Sequence, residues 1–167
     1  MRSVTRRIRA LPGIIALAMA LALAATPAAA ASPEAVSIDS HVVFNPDGPN
    51  YGDFTASGPA VDSGLLCANG TFVDTGLRFA GFQSGHAGRS DVQVQVVKTF
   101  TCADGSGTFV VKLQIQADFA SGLETFTWNA LGGTGDYGDL RGSGSGSTVR
   151  DADGNGNTNT YAGFLLG

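Results

Sequence analysis

The sequence predicts an all-β domain: a closed antiparallel barrel of eight strands, with an open two-sheet sandwich as the alternative. Three observations predict it. Alternation with period 2 is strong: Val92, Val94 and Val96 alternate with Gln93 and Gln95, and Phe109, Val111, Leu113, Ile115, Ala117 and Phe119 alternate with Val110, Lys112, Gln114, Gln116 and Asp118. After residue 31, no stretch holds a 3.6-residue apolar period long enough for a convincing helix. The 24 glycines, many beside Asp, Asn or Ser, punctuate the chain at turn-like intervals. Eight antiparallel strands can close on themselves and so leave no exposed edge.

The elements follow in order. Residues 1–31 read as a secretory signal peptide. Arg2, Arg6, Arg7 and Arg9 form a positive start, Leu11 to Ala25 an apolar run, and Ala28-Ala29-Ala30 a small-x-small cleavage site, with cleavage after Ala30 or Ala31. The run, about 15 residues, is short for a membrane span. The expected product is a secreted, soluble protein, a single domain from residue 32 to 167, with a signal of bacterial character. Strands are expected at about 36–45, 52–58 and 70–80. Residues 91–131 form a three-stranded meander. A turn at Asp104-Gly105 sets Phe100 opposite Phe109, Val96 opposite Leu113, Val94 opposite Ile115 and Val92 opposite Ala117. A second tight turn at Ser121-Gly122 sets Ala117 opposite Phe126, Ile115 opposite Trp128 and Leu113 opposite Ala130. Strands at about 137–150 and 158–166 complete the eight.

Charge narrows the function. Four of the ten Lys and Arg residues lie in the first nine positions, so the remainder carries 14 acidic residues against 6 basic ones. Such a surface does not suit nucleic acid, which requires clustered cations to neutralise phosphates, nor a polybasic membrane contact. Cys67 and Cys102 are the only cysteines. In an oxidising compartment they are expected to pair, closing a loop of about 36 residues worth on the order of 4 kcal/mol.

The most distinctive segment is Gly132-Gly133-Thr134-Gly135-Asp136-Tyr137-Gly138-Asp139-Leu140-Arg141-Gly142. Gly133, Gly135 and Gly138 formally match a dinucleotide-binding spacing, but no βαβ context surrounds them. The segment resembles the Gly-Gly-Thr-Gly-Asp-aromatic-x-x-x-Arg-Gly stretch of the dirigent proteins, which share an eight-stranded barrel with the allene oxide cyclases. The match covers this stretch alone. The resemblance implies a lumen that holds a phenolic intermediate, and it carries over two catalytic residues, Asp136 and Arg141. A carboxylate can move a proton and a guanidinium can steady an oxyanion. The bland roles are a turn-shaping Asp136 and a surface-paired Arg141. The two are five apart, which in an unbroken strand points them to opposite faces, so both serve one cavity only if a bulge or the turn itself redirects one of them, and Gly138 is a natural place for that.

Lys98 falls on the apolar face and either enters the lumen or reaches out at a barrel mouth. Together with Val96, Leu113, Phe126 and Trp128 it is a candidate ligand-binding residue. Asp151 to Asn157 imitates half a calcium loop, but Ala162 stands where the bidentate Glu belongs, so a hairpin turn is the better reading. His41 and His86 lack metal-type spacing. No cofactor and no metal are expected. Three functions remain: a barrel binding a small apolar or phenolic ligand, a dirigent- or cyclase-like enzyme or auxiliary using Asp136 and Arg141, and an extracellular structural protein with a filled barrel. The lumen discriminates among them. An open cavity reached by Asp136 or Arg141 favours the enzyme, one without them the binder, and a filled interior the structural protein.

Overall fold

A computed structural model describes residues 32–82, 91–118 and 123–167. The signal-like segment, His86 and the expected turn at Ser121-Gly122 lie outside the described residues. The strands are β1 (Glu34–Val43), β2 (Tyr51–Ser57), β3 (Asn69–Phe82), β4 (Asp91–Cys102), β5 (Gly107–Asp118), β6 (Leu123–Gly135), β7 (Arg141–Arg150) and β8 (Gly156–Leu166). Each pairs antiparallel with its neighbour in sequence, and β8 returns to β1, closing the barrel. The sandwich alternative is thereby excluded. One short helix that the periodicity did not announce, α1 (Pro59–Asp62), follows Gly58. Proline presets its first turn, and a single turn is too short to show an apolar period.

The β4–β5 register is as the turn at Asp104-Gly105 dictates: Phe100 faces Phe109, Val96 faces Leu113, Val94 faces Ile115 and Val92 faces Ala117. Asp104 Oδ1 accepts from the Ser106 amide at 2.9 Å, and Gly105 takes φ of 80°. The Ser106 hydroxyl, which donates to the same oxygen at 2.5 Å, and after it the amide hold the Asp104 carboxyl below its usual pKa. The β5–β6 register differs from the expectation. Ile115 faces Phe126, not Trp128; Leu113 faces Trp128, not Ala130; and Ala117 faces Glu124. The displacement is two residues. An even shift keeps every side chain on its face, so the apolar pattern cannot distinguish the two registers. Nor does the chain turn at Gly132. β6 runs on to Gly135, absorbing a bulge between Phe109 and Val111, and β7 begins only at Arg141. Gly138 therefore lies in the turn and not in a bulged strand.

The interior is densely filled over most of its length. Phe100 and Phe109 stack at 4.7 Å, and Phe54 meets both edge-on. Leu113 and Trp128 are fully buried. The large side chains of β6 face glycines of β7: Phe126 opposite Gly146, Trp128 opposite Gly144, Ala130 opposite Gly142. The Ser-Gly alternation of β7 thus places Ser outward and an empty position inward where an aromatic needs room.

The two ends differ. At the end carrying the β2–β3, β4–β5 and β6–β7 connections, Ala60, Leu66, Tyr137 and Leu140 are buried. The Cys67–Cys102 disulfide joins the β2–β3 connection to the last residue of β4, with Cα atoms 6.0 Å apart. At the opposite end, Leu77 and Phe79 face inward yet stay exposed, at 58% and 69%. A bulge in β3 between Asp74 and Gly76 switches its inward positions from Phe72 and Asp74 to Leu77 and Phe79.

Candidate functional site: a cavity at the open end

A cavity of about 290 Å³ lies inside the open end. That is near the lower limit of small-molecule sites, roughly 300–1,000 Å³. Val42, Val96 and Ile115 form its apolar walls, Phe44, Leu77 and Phe79 its rim, and Lys98, Asp74, Asn157 and Asn159 its polar floor. The elements explain the placement. β4 alternation brings Lys98 inward above Phe100. On β3 the inward parity set by Phe72 brings Asp74 opposite Lys98, and the bulge just beyond it returns Leu77 to the lumen.

Lys98 is 3% exposed, and its Nζ donates to Asp74 Oδ1 at 2.6 Å. The ammonium also stands 4.3 Å from the centre of the Phe72 ring, within cation–π range. Asn50 Nδ2 donates to the other Asp74 oxygen at 3.2 Å. Burial pulls the Lys98 pKa below its ordinary value, and the Asp74 carboxylate opposes that shift. At the lip, Arg150 Nε and Nη2 both reach Glu124 Oε1, at 3.0 and 2.5 Å. Thr148 Oγ1 donates to Asn159 Oδ1 at 2.8 Å. Three other buried polar atoms, Ser40 Oγ, Asn157 Oδ1 and Tyr161 OH, have no hydrogen-bond partner. Ser40 and Asn159 lie beside the Tyr161 hydroxyl without reaching it in hydrogen-bond geometry. Burial pushes the Tyr161 phenol well above its ordinary pKa, an effect these neighbours only partly offset.

The sequence-derived candidates divide. Val96 and Lys98 line the cavity, and Lys98 enters the lumen. Leu113, Phe126 and Trp128 face inward but do not line this cavity; they fill the barrel beside and below it. Asp136 and Arg141 lie at the other end of the barrel, both exposed. The expectation that Arg141 lines the lumen with Asp136 in reach of the same space is therefore corrected: position 141 is an outward position of β7, and the chain has already turned. The Asp136 amide donates to Ser106 O at 3.0 Å, and Arg141 Nη1 donates to Leu140 O at 2.7 Å. Gly132, with φ of 87°, leaves the space that this guanidinium occupies; a Cβ there would stand 2.6 Å from Nη1. The motif builds the β6–β7 turn, which Tyr137 anchors through its hydroxyl to Ser106 Oγ at 2.7 Å. The half calcium loop is the β7–β8 hairpin turn, where Asp151 Oδ2 lies 2.9 Å from His41 Nε2. Among the described residues, no group of three or more His, Cys, Asp or Glu is placed to hold a metal ion.

Asp74, Asn157, Asn159 and the Glu124–Arg150 pair escaped the sequence reading. For Asp74 a signal existed: an inward lysine requires a carboxylate on an adjacent strand, and Asp74 shares the parity of Phe72. A larger concavity, about 500 Å³, lies along β4–β7, lined by Gln93, Gln95, Gln114, Gln116, Thr125 and Thr127 together with Val94, Ile115 and the candidate Phe126. It has the volume but no charged group and no converging buried polar atoms, so the smaller cavity is the better site.

No protein-family model matches the chain, and no curated protein or solved structure matches it either.

Proposed function

We propose that this chain is an exported barrel that binds a small, largely apolar molecule in the cavity at its open end. One observation carries the reading: in a barrel otherwise packed with aromatic side chains, one end keeps an open cavity with apolar walls, an exposed apolar rim and a polar floor. Sites of that composition hold small ligands by burying apolar surface and orienting them with a few polar groups. Export is supported by the signal-like first 31 residues and by the Cys67–Cys102 disulfide. No helix among the described residues is long and apolar enough to cross a membrane. We also propose kinship with the dirigent and allene oxide cyclase barrels, supported by the Gly132–Gly142 motif and by the closed eight-stranded meander. The reading is one of binding, because the two residues the resemblance puts forward for catalysis stand outside the cavity.

Thermal shift against a library of small apolar and phenolic compounds tests it. A ligand at a hundred times its Kd should stabilise the protein by about 2.7 kcal/mol. Val96→Trp, which plugs the cavity, should abolish the shift. A library without a hit, together with no co-purifying molecule by native mass spectrometry, would sink the proposal.

A further inference from the structure

The charges lining the cavity are two of each sign, and each already has its partner. Lys98 is held by Asp74 at the floor and Arg150 by Glu124 at the lip. An anionic ligand entering this space meets two carboxylates and no unengaged cation among the lining residues. To capture Lys98 it must strand Asp74, which is 13% exposed, away from both water and its counter-ion. A cationic ligand faces the mirror-image difficulty. The capacity left open is polar but uncharged. Asn157 Oδ1 lines the cavity as a buried acceptor with no donor. Next along the inner wall, Asn159 pairs in register with Ser40, and Tyr161 follows one inward position deeper. The Ser40 and Tyr161 hydroxyls, in residues each 1% exposed, lie close to each other and do not line the cavity. Buried polar atoms ordinarily have partners, and one that lines a cavity, as Asn157 Oδ1 does, can be met by a donor group of a ligand.

We infer that the cavity selects an uncharged amphipathic molecule carrying a hydroxyl or N–H donor, and that its two internal ion pairs discriminate against anions. This deepens the binding reading and rests on it. Selectivity here comes from the arrangement of repulsion as much as from attraction.

Two fluorescent probes on one scaffold test it with the full, disulfide-bonded chain. N-phenyl-1-naphthylamine is uncharged and has an N–H donor; 8-anilino-1-naphthalenesulfonate adds a sulfonate. The naphthylamine should bind at least about tenfold more tightly. Leu77→Gln, at the rim, should weaken it. Glu124→Gln frees Arg150 at the exposed lip and should narrow the preference by about threefold or more. Asp74→Asn frees Lys98 at the floor and should invert the preference. The near-UV circular dichroism of Trp128 reports whether that variant keeps its barrel, and if it does not, Glu124→Gln carries the test. Equal or tighter binding of the sulfonate by the unmodified protein overturns the inference while leaving the binding reading in place. So does a preference that Glu124→Gln leaves unmoved, or a naphthylamine affinity indifferent to Leu77→Gln. If neither probe binds, the binding reading itself falls and takes the inference with it.

Discussion

Lys98 combines a strong electrostatic consequence with a clear test. Its amine is desolvated and its pKa lies below the ordinary lysine value of 10.5. Between those two values the unfolded chain holds a proton that the barrel has released. Stability therefore rises with pH across that window, by at most about 1.4 kcal/mol per pH unit. Below the window both states are protonated and Lys98 contributes no slope. Urea unfolding between pH 7 and 10 should show this rise in the unmodified protein and not in Lys98→Met/Asp74→Asn; a flat or falling difference between the two would refute it. Tyr161 acts in the opposite sense. With its raised pKa the phenol is protonated in both states at neutral pH and contributes nothing there, but stability falls once unfolded tyrosine ionises, above pH ~10. Tyr161→Phe should remove that alkaline loss. The inward parity of Lys98 was legible from the alternation of Val94, Val96 and Phe100. Its partner was not, because the connection between β3 and β4 is too long to set a register by itself, so the parity Asp74 shares with Phe72 did not say which residue stands opposite Lys98.

Among the elements, β6 and β7 fit by size. Trp128 stands opposite Gly144, where a Cβ would lie 2.7 Å from the indole Nε1 and 2.1 Å from the Ala162 carbonyl oxygen. The second contact is backbone, so a rotamer change cannot relieve it. Gly144→Ala should destabilise the barrel by about 1–3 kcal/mol and blunt the near-UV signal of Trp128. Ser145→Ala, on the outward side of the same strand, should stay within about 0.5 kcal/mol of the unmodified protein. A Gly144→Ala protein as stable as the parent would show that the indole does not fill that space. The strand positions were legible because the period-2 pattern runs through all eight, and even the glycines of β7 obey it. The β5–β6 pairing was not. Trp128 and Phe126 lie on the same face and two residues apart, so hydrophobicity alone gives equal support to pairing Ile115 with either. The bulge after Phe109 and the length of the β5–β6 connection decide between them.

At the scale of the whole molecule the barrel is asymmetric along its axis. One end is covered by α1 and stapled by Cys67–Cys102; the other keeps its cavity. Reduction, or Cys67→Ala/Cys102→Ala, should cost on the order of 4 kcal/mol, measured as a lower urea midpoint, with a somewhat steeper slope because the released unfolded chain exposes more surface. An unaltered midpoint would mean that the bond constrains nothing the strands do not already hold. Closure and strand number were legible, since eight strand-like segments in succession admit a meander that ends beside its beginning. The open end was not. Alternation tells which side chains face inward, but whether they meet across the lumen depends on strand length and bulges. Leu77 and Phe79 lie beyond Val73, where the pairing of β3 with β2 ends at Tyr51.

The pairing of β1 with β8 has a consequence for how the chain is cut. Glu34 lies opposite Leu165, so the first and last strands are neighbours like any other two. The barrel is topologically a ring, and the break between residue 166 and residue 34 is one of several places where it could stand open. A circular permutant that joins residue 166 to residue 34 through a short linker, and begins instead within the exposed turn at 152–154, keeps every strand pairing and both cysteines on one chain. It should fold to the same barrel, form the same disulfide and melt within a few degrees of the parent. A permutant that stays unfolded would reveal that assembly requires the β7–β8 hairpin to be covalently continuous.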